Sequence, residues 1–364
     1  MSISANLLPG VPLVESPLFE KSLDQLGLSD TERAIAVSLN RNGYAVMDFP
    51  DPLIDERIER ITASLTPRFG VDPMCPEFTK AGGNLRIQDA WLFDPDVKAI
   101  ATNKSVLALL TKLYGRAAFP FQTLNFPVGT QQHLHSDSIH FSSQPERFMC
   151  GVWLAMEDVH HESGPLQYLP GSHRWPIASN AHIGRIGSEA DRGSAQTPFE
   201  PLWRALVEQS GIETETFLAR KGQALIWAAN LLHGGGVQHD LERTRWSQVT
   251  HYYFEDCLYY TPAFSDEPLG QLDLRTIMDV STGDQVENRF HGQVVAIPNA
   301  AQRRKSTAWI NRLIGRKPSA PALPRDFDPA TYYRLNPDVA GSGVDASDHY
   351  RNHGAQENRR YRDD

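Results

Sequence analysis

Cysteine is scarce: Cys75, Cys150 and Cys257 are the three in 364 residues, odd in number and far apart. They make neither a disulfide framework nor a CxxC metal knuckle. Long apolar runs are missing as well, and nothing approaches the roughly 18 uninterrupted apolar residues of a membrane span. Residues 1–10 lack a basic cluster leading into an apolar stretch, so no secretory leader is expected and a reducing cytoplasm is the expected location. Positive charge is in deficit, with 35 Lys+Arg against 44 Asp+Glu and a formal charge of -9, which argues against a protein that coats nucleic acid. What is present is ordinary for a folded enzyme, 40% hydrophobic and 22% charged residues, together with 13 histidines.

Residues 1–30, rich in Pro and Leu, are expected to wrap the surface. Helices are predicted over 29–40, with Ser29 or Asp30 as N-cap, and over 55–65 and 96–114. Residues 43–49 alternate like a strand. After Gly115 come short β-like runs at 119–126, 148–156, 223–228 and 246–254, separated by turns rich in Gly, Pro, His and Asp. Helices first and then short strands with long connections predict a mainly β fold with flanking helices, an antiparallel sandwich or jelly roll.

Thirteen histidines among many aspartates place about one His-x-Asp by chance, so His135-Ser136-Asp137 draws its weight from context. It follows the run 119–126 and a turn at 127–130. On a strand, residues i and i+2 share a face, so His135 and Asp137 can reach one ion. His233 closes the apolar run 224–227 at a Gly234-Gly235-Gly236 turn and supplies a third ligand. Two imidazoles and one carboxylate leave three positions of an octahedron open, which suits non-haem Fe(II). Beyond the turn, Arg245, Ser247, Val249 and His251 alternate with Trp246, Gln248, Thr250 and Tyr252. If the first set faces inward, a buried guanidinium needs an anion, and a dicarboxylate co-substrate bridging iron and Arg245 satisfies it. Arg243 is a near rival, and Arg245 is preferred for its strand phase. His160-His161-Glu162 is a rival metal group that reads better as an exposed loop.

These residues resemble the phytanoyl-CoA dioxygenase family of Fe(II)- and 2-oxoglutarate-dependent oxygenases. The resemblance spans about 42–254 and rests on His135-Ser136-Asp137, Gly151-Val152-Trp153, the segment 164–173, His233-Gly234-Gly235, and Arg245 with Ser247 and His251. It implies a double-stranded β-helix (cupin-like jelly roll) with iron on His135, Asp137 and His233. It also implies Arg245 on the distal carboxylate of 2-oxoglutarate, with Gln122 and Trp153 lining that pocket. Gly235 stands where family members often have Ser. The implied reaction consumes O2 and 2-oxoglutarate, releases succinate and CO2, and hydroxylates an aliphatic C–H of a small substrate. Related halogenases have a small residue at the position of Asp137, so hydroxylation is expected rather than halogenation.

Residues 1–301 carry 23 basic and 36 acidic residues, net -13, whereas 302–364 carry 12 and 8, net +4. The expected organisation is a catalytic domain (1–301), a basic amphipathic helix and Pro-rich linker (302–326), and a small module (327–364). Cations of 303–317 edge an apolar face, which suits a weak membrane-surface or protein contact. The last module resembles a short repeat appended to bacterial glycosyltransferases and surface-polysaccharide enzymes, which suggests a saccharide or cell-envelope substrate; the expected substrate is a saccharide or an acyl or lipid-linked molecule. Two other readings compete with the oxygenase. One is a jelly-roll binding protein acting through the basic tail; the other is a cupin-type isomerase or hydrolase, which would not need Arg245.

Overall fold

The computed structural model describes residues 6–70, 85–297, 323–324, 326–340, 344–355, 357 and 359–363; Cys75, Gly82, Gly83 and the basic segment 303–317 lie outside the described residues. The chain forms two compact units, Met1–Pro298 and Asn299–Asp364.

In the first unit the strands run β1 (Tyr44–Asp48), β2 (Ile87–Gln88), β3 (Ala118–Phe126), β4 (Ser142–Gln144), β5 (Met149–Ala155) and β6 (Leu166–Tyr168). They continue as β7 (Glu215–Phe217), β8 (Gln223–Ala228), β9 (His233–Gly235), β10 (Ser247–Phe254) and β11 (Leu258–Tyr260). One six-stranded sheet has the order β1-β8-β5-β10-β3-β2, every pair antiparallel. A second sheet, β7-β6-β9, is antiparallel too and is extended by a bridge between His135 and His233, while β11 pairs with β4. These are the sheets of a jelly roll.

Strand alternation gives the large sheet two different faces. Ala45, Met47, Val152, Leu154, Ala224 and Ile226 turn outward into the main core with helix residues such as Leu39, Ile61, Leu110 and Leu113. Trp153, Leu225, Trp227 and Val249 turn inward and meet Leu166, Tyr168 and Phe217 of the second sheet. Register aligns one inward row across the sheet: Gln122 opposite His251, His251 opposite Gly151, and Gly151 opposite Trp227. That row carries much of the site.

The helix Asp30–Asn42 begins with a capping box, in which the Glu32 N–H donates to Ser29 Oγ (3.3 Å) and the Ser29 N–H to Glu32 Oε2 (2.8 Å). Two sequence expectations fail locally. The single helix expected over 96–114 is two, Pro95–Ala101 and Lys104–Tyr114, because Asn103 Oδ1 accepts from the N–H groups of Ser105 and Val106 and caps a new start. The N-terminal segment does not merely wrap the surface, since Val14, Phe19 and Leu23 are buried in the main core. In the second unit, short helices Pro329–Leu335, Pro337–Ala340 and Ala346–His349 gather around Tyr332, Val339, Ala346 and Tyr350.

Candidate metal centre

His135, Asp137 and His233 are all buried, and one ligand atom from each lies within 4.8 Å of the others. Backbone pairing sets this spacing: the His135 N–H donates to His233 O and the His233 N–H to His135 O, both at 2.9 Å. His135 and Asp137 do not sit on one continuous strand as expected. His135 ends the bridge, and Asp137 opens a short 3-10 turn, Asp137–Ile139, in which Ser136 Oγ accepts from the Ser138 N–H at 3.2 Å. The turn still aims the carboxylate between the imidazoles.

Each imidazole is oriented by its own backbone. His135 Nδ1 lies 2.8 Å from His133 O, and His233 Nδ1 lies 3.0 Å from Leu231 O. A carbonyl only accepts, so Nδ1 carries a proton and Nε2 is the ring atom left to face the centre. Those Nε2 atoms stand 3.9 Å (His135) and 3.6 Å (His233) from the Asp137 carboxylate. The close backbone approach depends on glycine, because a Cβ at Gly234 would fall 2.6 Å from Gln132 O. His133 itself is exposed; only its carbonyl serves the site.

Burial, with His233 adding to it, pushes the His135 imidazole down to about 3, so it is neutral near pH 7. Burial alone would raise the Asp137 carboxyl, but His233, His251 and His135 around it outweigh burial and hold it well below the usual carboxylate range. Two imidazoles with Nε2 turned inward and an ionised carboxylate converging on one point form a donor set that fits a divalent transition metal.

Two groups that the sequence reading left without a role complete the surroundings. Trp227 Nε1 donates to Asp137 Oδ2 at 2.8 Å, its ring 4.6 Å from that of His233. The indole can lie there because Gly151 is beneath it; any Cβ at Gly151 would run into the ring. His251 places Nε2 3.5 Å from Asp137 Oδ2, and its Nδ1 meets Gln122 Oε1 at 3.0 Å. Gln122 therefore contacts the centre through His251. The sequence signal for His251 was its phase with Arg245, and for Trp227 its position just before the His233 turn.

Arg245 precedes β10, with its N–H bonded to Pro127 O at 2.9 Å. Its side chain is only 2% exposed, and burial lowers its pKa to about 10, with Glu157 acting the other way. The Glu157 carboxylate is already engaged by Thr244 Oγ1 and the Trp246 N–H. Arg245 Nε has no partner among the described residues, and neither does Ser247 Oγ on the same inward face. Trp153 lies under the guanidinium, 5.4 Å from ring centroid to Cζ, and packs edge-on against Phe217. Arg243 instead pairs with Asp240 at 2.9 Å and is half-exposed. His160, His161 and Glu162 also cluster within metal reach, on a partly exposed loop.

The covering segment 175–210 packs Ala178, Phe199 and Trp203 against Ile139, Leu169, Leu232 and Ala263. Buried Asn180 ties it down by donating to Pro262 O (2.9 Å) and Ser265 O (3.0 Å). Asp266 helps by accepting from the N–H groups of Gly187 and Ser188.

The architecture is that of a jelly roll with a two-histidine, one-carboxylate centre between its sheets. A carbocyclase from nogalamycin biosynthesis, SnoK, described as non-haem and α-ketoglutarate dependent, has a similar fold at a TM-score of 0.50, with 17% identity over 72% of this chain and 95% of its own. The epimerase SnoN of the same biosynthesis matches 63% of this chain and 85% of its own, at 20% identity and a TM-score of 0.46. The phytanoyl-CoA dioxygenase family model matches residues 39–239, more than half of the chain, and the protein belongs to that family. Mouse phytanoyl-CoA dioxygenase domain-containing protein 1 is 27% identical over 116 residues, which are 30% of this chain and 38% of the mouse protein. No described helix is long and apolar enough to cross a membrane.

Proposed function

We propose that this protein is an Fe(II)- and 2-oxoglutarate-dependent dioxygenase that hydroxylates an aliphatic C–H of a small organic substrate. His135, Asp137 and His233 would hold the iron, and Arg245 the distal carboxylate of 2-oxoglutarate, with Trp153 walling that pocket. When iron, 2-oxoglutarate and O2 are bound, the chemistry supplied is oxidative: the co-substrate leaves as succinate and CO2 while C–H becomes C–OH.

The observation that carries this reading is the pairing of the histidine–carboxylate centre with a buried guanidinium that, among the described residues, has no ion pair and leaves Nε without a partner. A metal isomerase or hydrolase has no use for that cation, and burying it without an anion is costly. The chain's own residues keep the ligands ready, with backbone carbonyls fixing the imidazole tautomers and Trp227 fixing the carboxylate. Asp137 fills the position that a halide would need, which favours hydroxylation. Membership of the family, with its match over 39–239, supports the same reading.

Anaerobic addition of Fe(II) and 2-oxoglutarate should produce a weak visible metal-to-ligand charge-transfer band. A folded, iron-loaded protein without that band would refute the assignment. So would a band that Asp137→Ala leaves unchanged.

A further inference from the structure

Arg245 and Arg275 are the two arginines, among the described residues, whose buried Nε lacks a partner. The co-substrate accounts for Arg245 in the reading above. Arg275 is left over, and its surroundings place it by the metal centre. Its guanidinium lies 4.8 Å from the centroid of Phe141; that ring is 5.0 Å from His251, whose Nε2 is 3.5 Å from Asp137. Nη1 donates to two neutral oxygens, His140 O (3.2 Å) and Thr261 Oγ1 (3.0 Å). The acids of its own segment are engaged elsewhere: Asp273 pairs with Arg192 at 2.9 Å, and Asp266 binds the N–H groups of Gly187 and Ser188.

The imidazole of His140 sits in the same corner. The charges of Asp137 and Arg275 act on it, and Gln196 of the covering segment, whose Nε2 donates to Glu200 Oε1 at 3.2 Å, lies within reach of it. Three separate stretches therefore bring polar groups together here: the turn after Asp137, the covering segment, and the strand-poor extension after β11. Both Gln196 and Arg275 come from parts of the chain that build the surroundings of the centre, and Arg275 lies beyond the family match at 39–239.

We propose that Arg275, flanked by His140 and Gln196, is an oxyanion subsite for the substrate, which then carries a carboxylate or a phosphate. This inference rests on the oxygenase reading and names a substrate class for it. A partly dehydrated guanidinium held by neutral oxygens gains most from a ligand that offers two negative oxygens. Such a contact would fix one end of the substrate while the C–H to be oxidised faces the centre.

The test is calorimetric titration of inorganic phosphate and of acetate into the full-length chain, kept anaerobic with Fe(II) and saturating 2-oxoglutarate so that Arg245 is occupied. At least one anion should bind, and Arg275→Gln should weaken it by about tenfold or more while Arg275→Lys retains most of the affinity. The stronger of the two anions identifies the substrate's group. Binding of neither, or equal affinity in wild type and a folded Arg275→Gln, overturns the subsite. The charge-transfer band, read in the same samples, scores the oxygenase reading on its own. A band without anion binding removes only the subsite, and Arg275-dependent binding without a band removes the oxygenase and keeps the anion site.

Discussion

Trp227 donates its indole N–H to Asp137 Oδ2 at 2.8 Å, across a strand position that only glycine can occupy opposite it. The bond fixes which way the carboxylate turns, so that its remaining lone pairs face the two imidazoles. A hydrogen bond to the ionised form also keeps the carboxyl deprotonated inside the barrel.

Trp227→Phe should therefore weaken metal binding by about 10- to 100-fold, the usual range for losing a hydrogen-bond partner of a metal ligand. Titration of the apoprotein with Co(II), followed in the visible spectrum, measures it. Far-UV circular dichroism should be unchanged, because an aromatic ring still fills the space. Gly151→Ala should give the same loss by displacing the indole, and wild-type metal affinity in both variants would remove Trp227 from this role.

Arg245→Ala should raise the KM for 2-oxoglutarate by roughly 100-fold or more, as expected for truncating one partner of a buried charge pair, about 3 kcal/mol. Arg245→Lys should recover part of this, since an ammonium keeps the charge and loses the two-pronged geometry. Stability should move the other way. The guanidinium is buried with no ion pair among the described residues, so Arg245→Met should unfold at a higher denaturant concentration than wild type when 2-oxoglutarate is absent. Activity left intact in Arg245→Ala would favour a cupin-type isomerase or hydrolase.

Much of this centre was legible in the sequence because its parts are local. His135 and Asp137 are two residues apart, His233 closes a strand at a glycine turn, and Arg245 keeps phase with His251. The jelly roll followed from the order of helices and short strands. Trp227 and His251 acquire their roles only through register, which places both in one row with Gly151 and Gln122. No spacing in the chain announces that row. The break at Asn103 was hidden because both helices keep apolar residues in helical phase, and one side chain satisfying two N–H groups decides between one helix and two. Arg275 was invisible for another reason: nothing near it in sequence belongs to the centre.

Asn230 joins the segments that carry the ligands. Its Oδ1 accepts from Ser136 Oγ at 3.0 Å, between His135 and Asp137, and its Nδ2 donates to Trp175 O at 2.7 Å. The same turn is gripped by Arg147, which donates to His173 O and Trp175 O and pairs with buried Glu15 at 2.8 Å. Asn230→Ala should cost about 1–3 kcal/mol of unfolding free energy, the penalty for leaving buried partners unsatisfied, and should lower Co(II) affinity as the Asp137 turn loosens. Asn230→Asp keeps the acceptor for Ser136 and loses the donors to the turn. It should therefore lose stability and keep more of the metal affinity than the alanine variant. Denaturant unfolding and metal titration on the two variants separate the effects.

His173 makes the fold sensitive to acid. Its Nε2 meets Asn40 O at 3.1 Å, its Nδ1 is buried without a partner among the described residues, and a Cβ at Gly43 would fall 2.5 Å from that nitrogen. Burial lowers its pKa to about 4; the Asn40 carbonyl opposes this, and the charges of Arg174 and Arg147 add to it. The folded-state pKa is thus below the 6.5 of a free imidazole, so between these values the unfolded chain holds a proton that the folded chain does not. Stability from this group is fully present above pH 6.5 and is lost as pH falls toward 4, by at most about 3 kcal/mol. Gln cannot take up that proton, yet its amide can still donate to Asn40 O. His173→Gln should be somewhat less stable than wild type at pH 7.5 and should lose less stability on going to pH 4.5. Urea unfolding at a series of pH values measures both slopes, and parallel curves for the two proteins would show that the acid sensitivity lies in other groups.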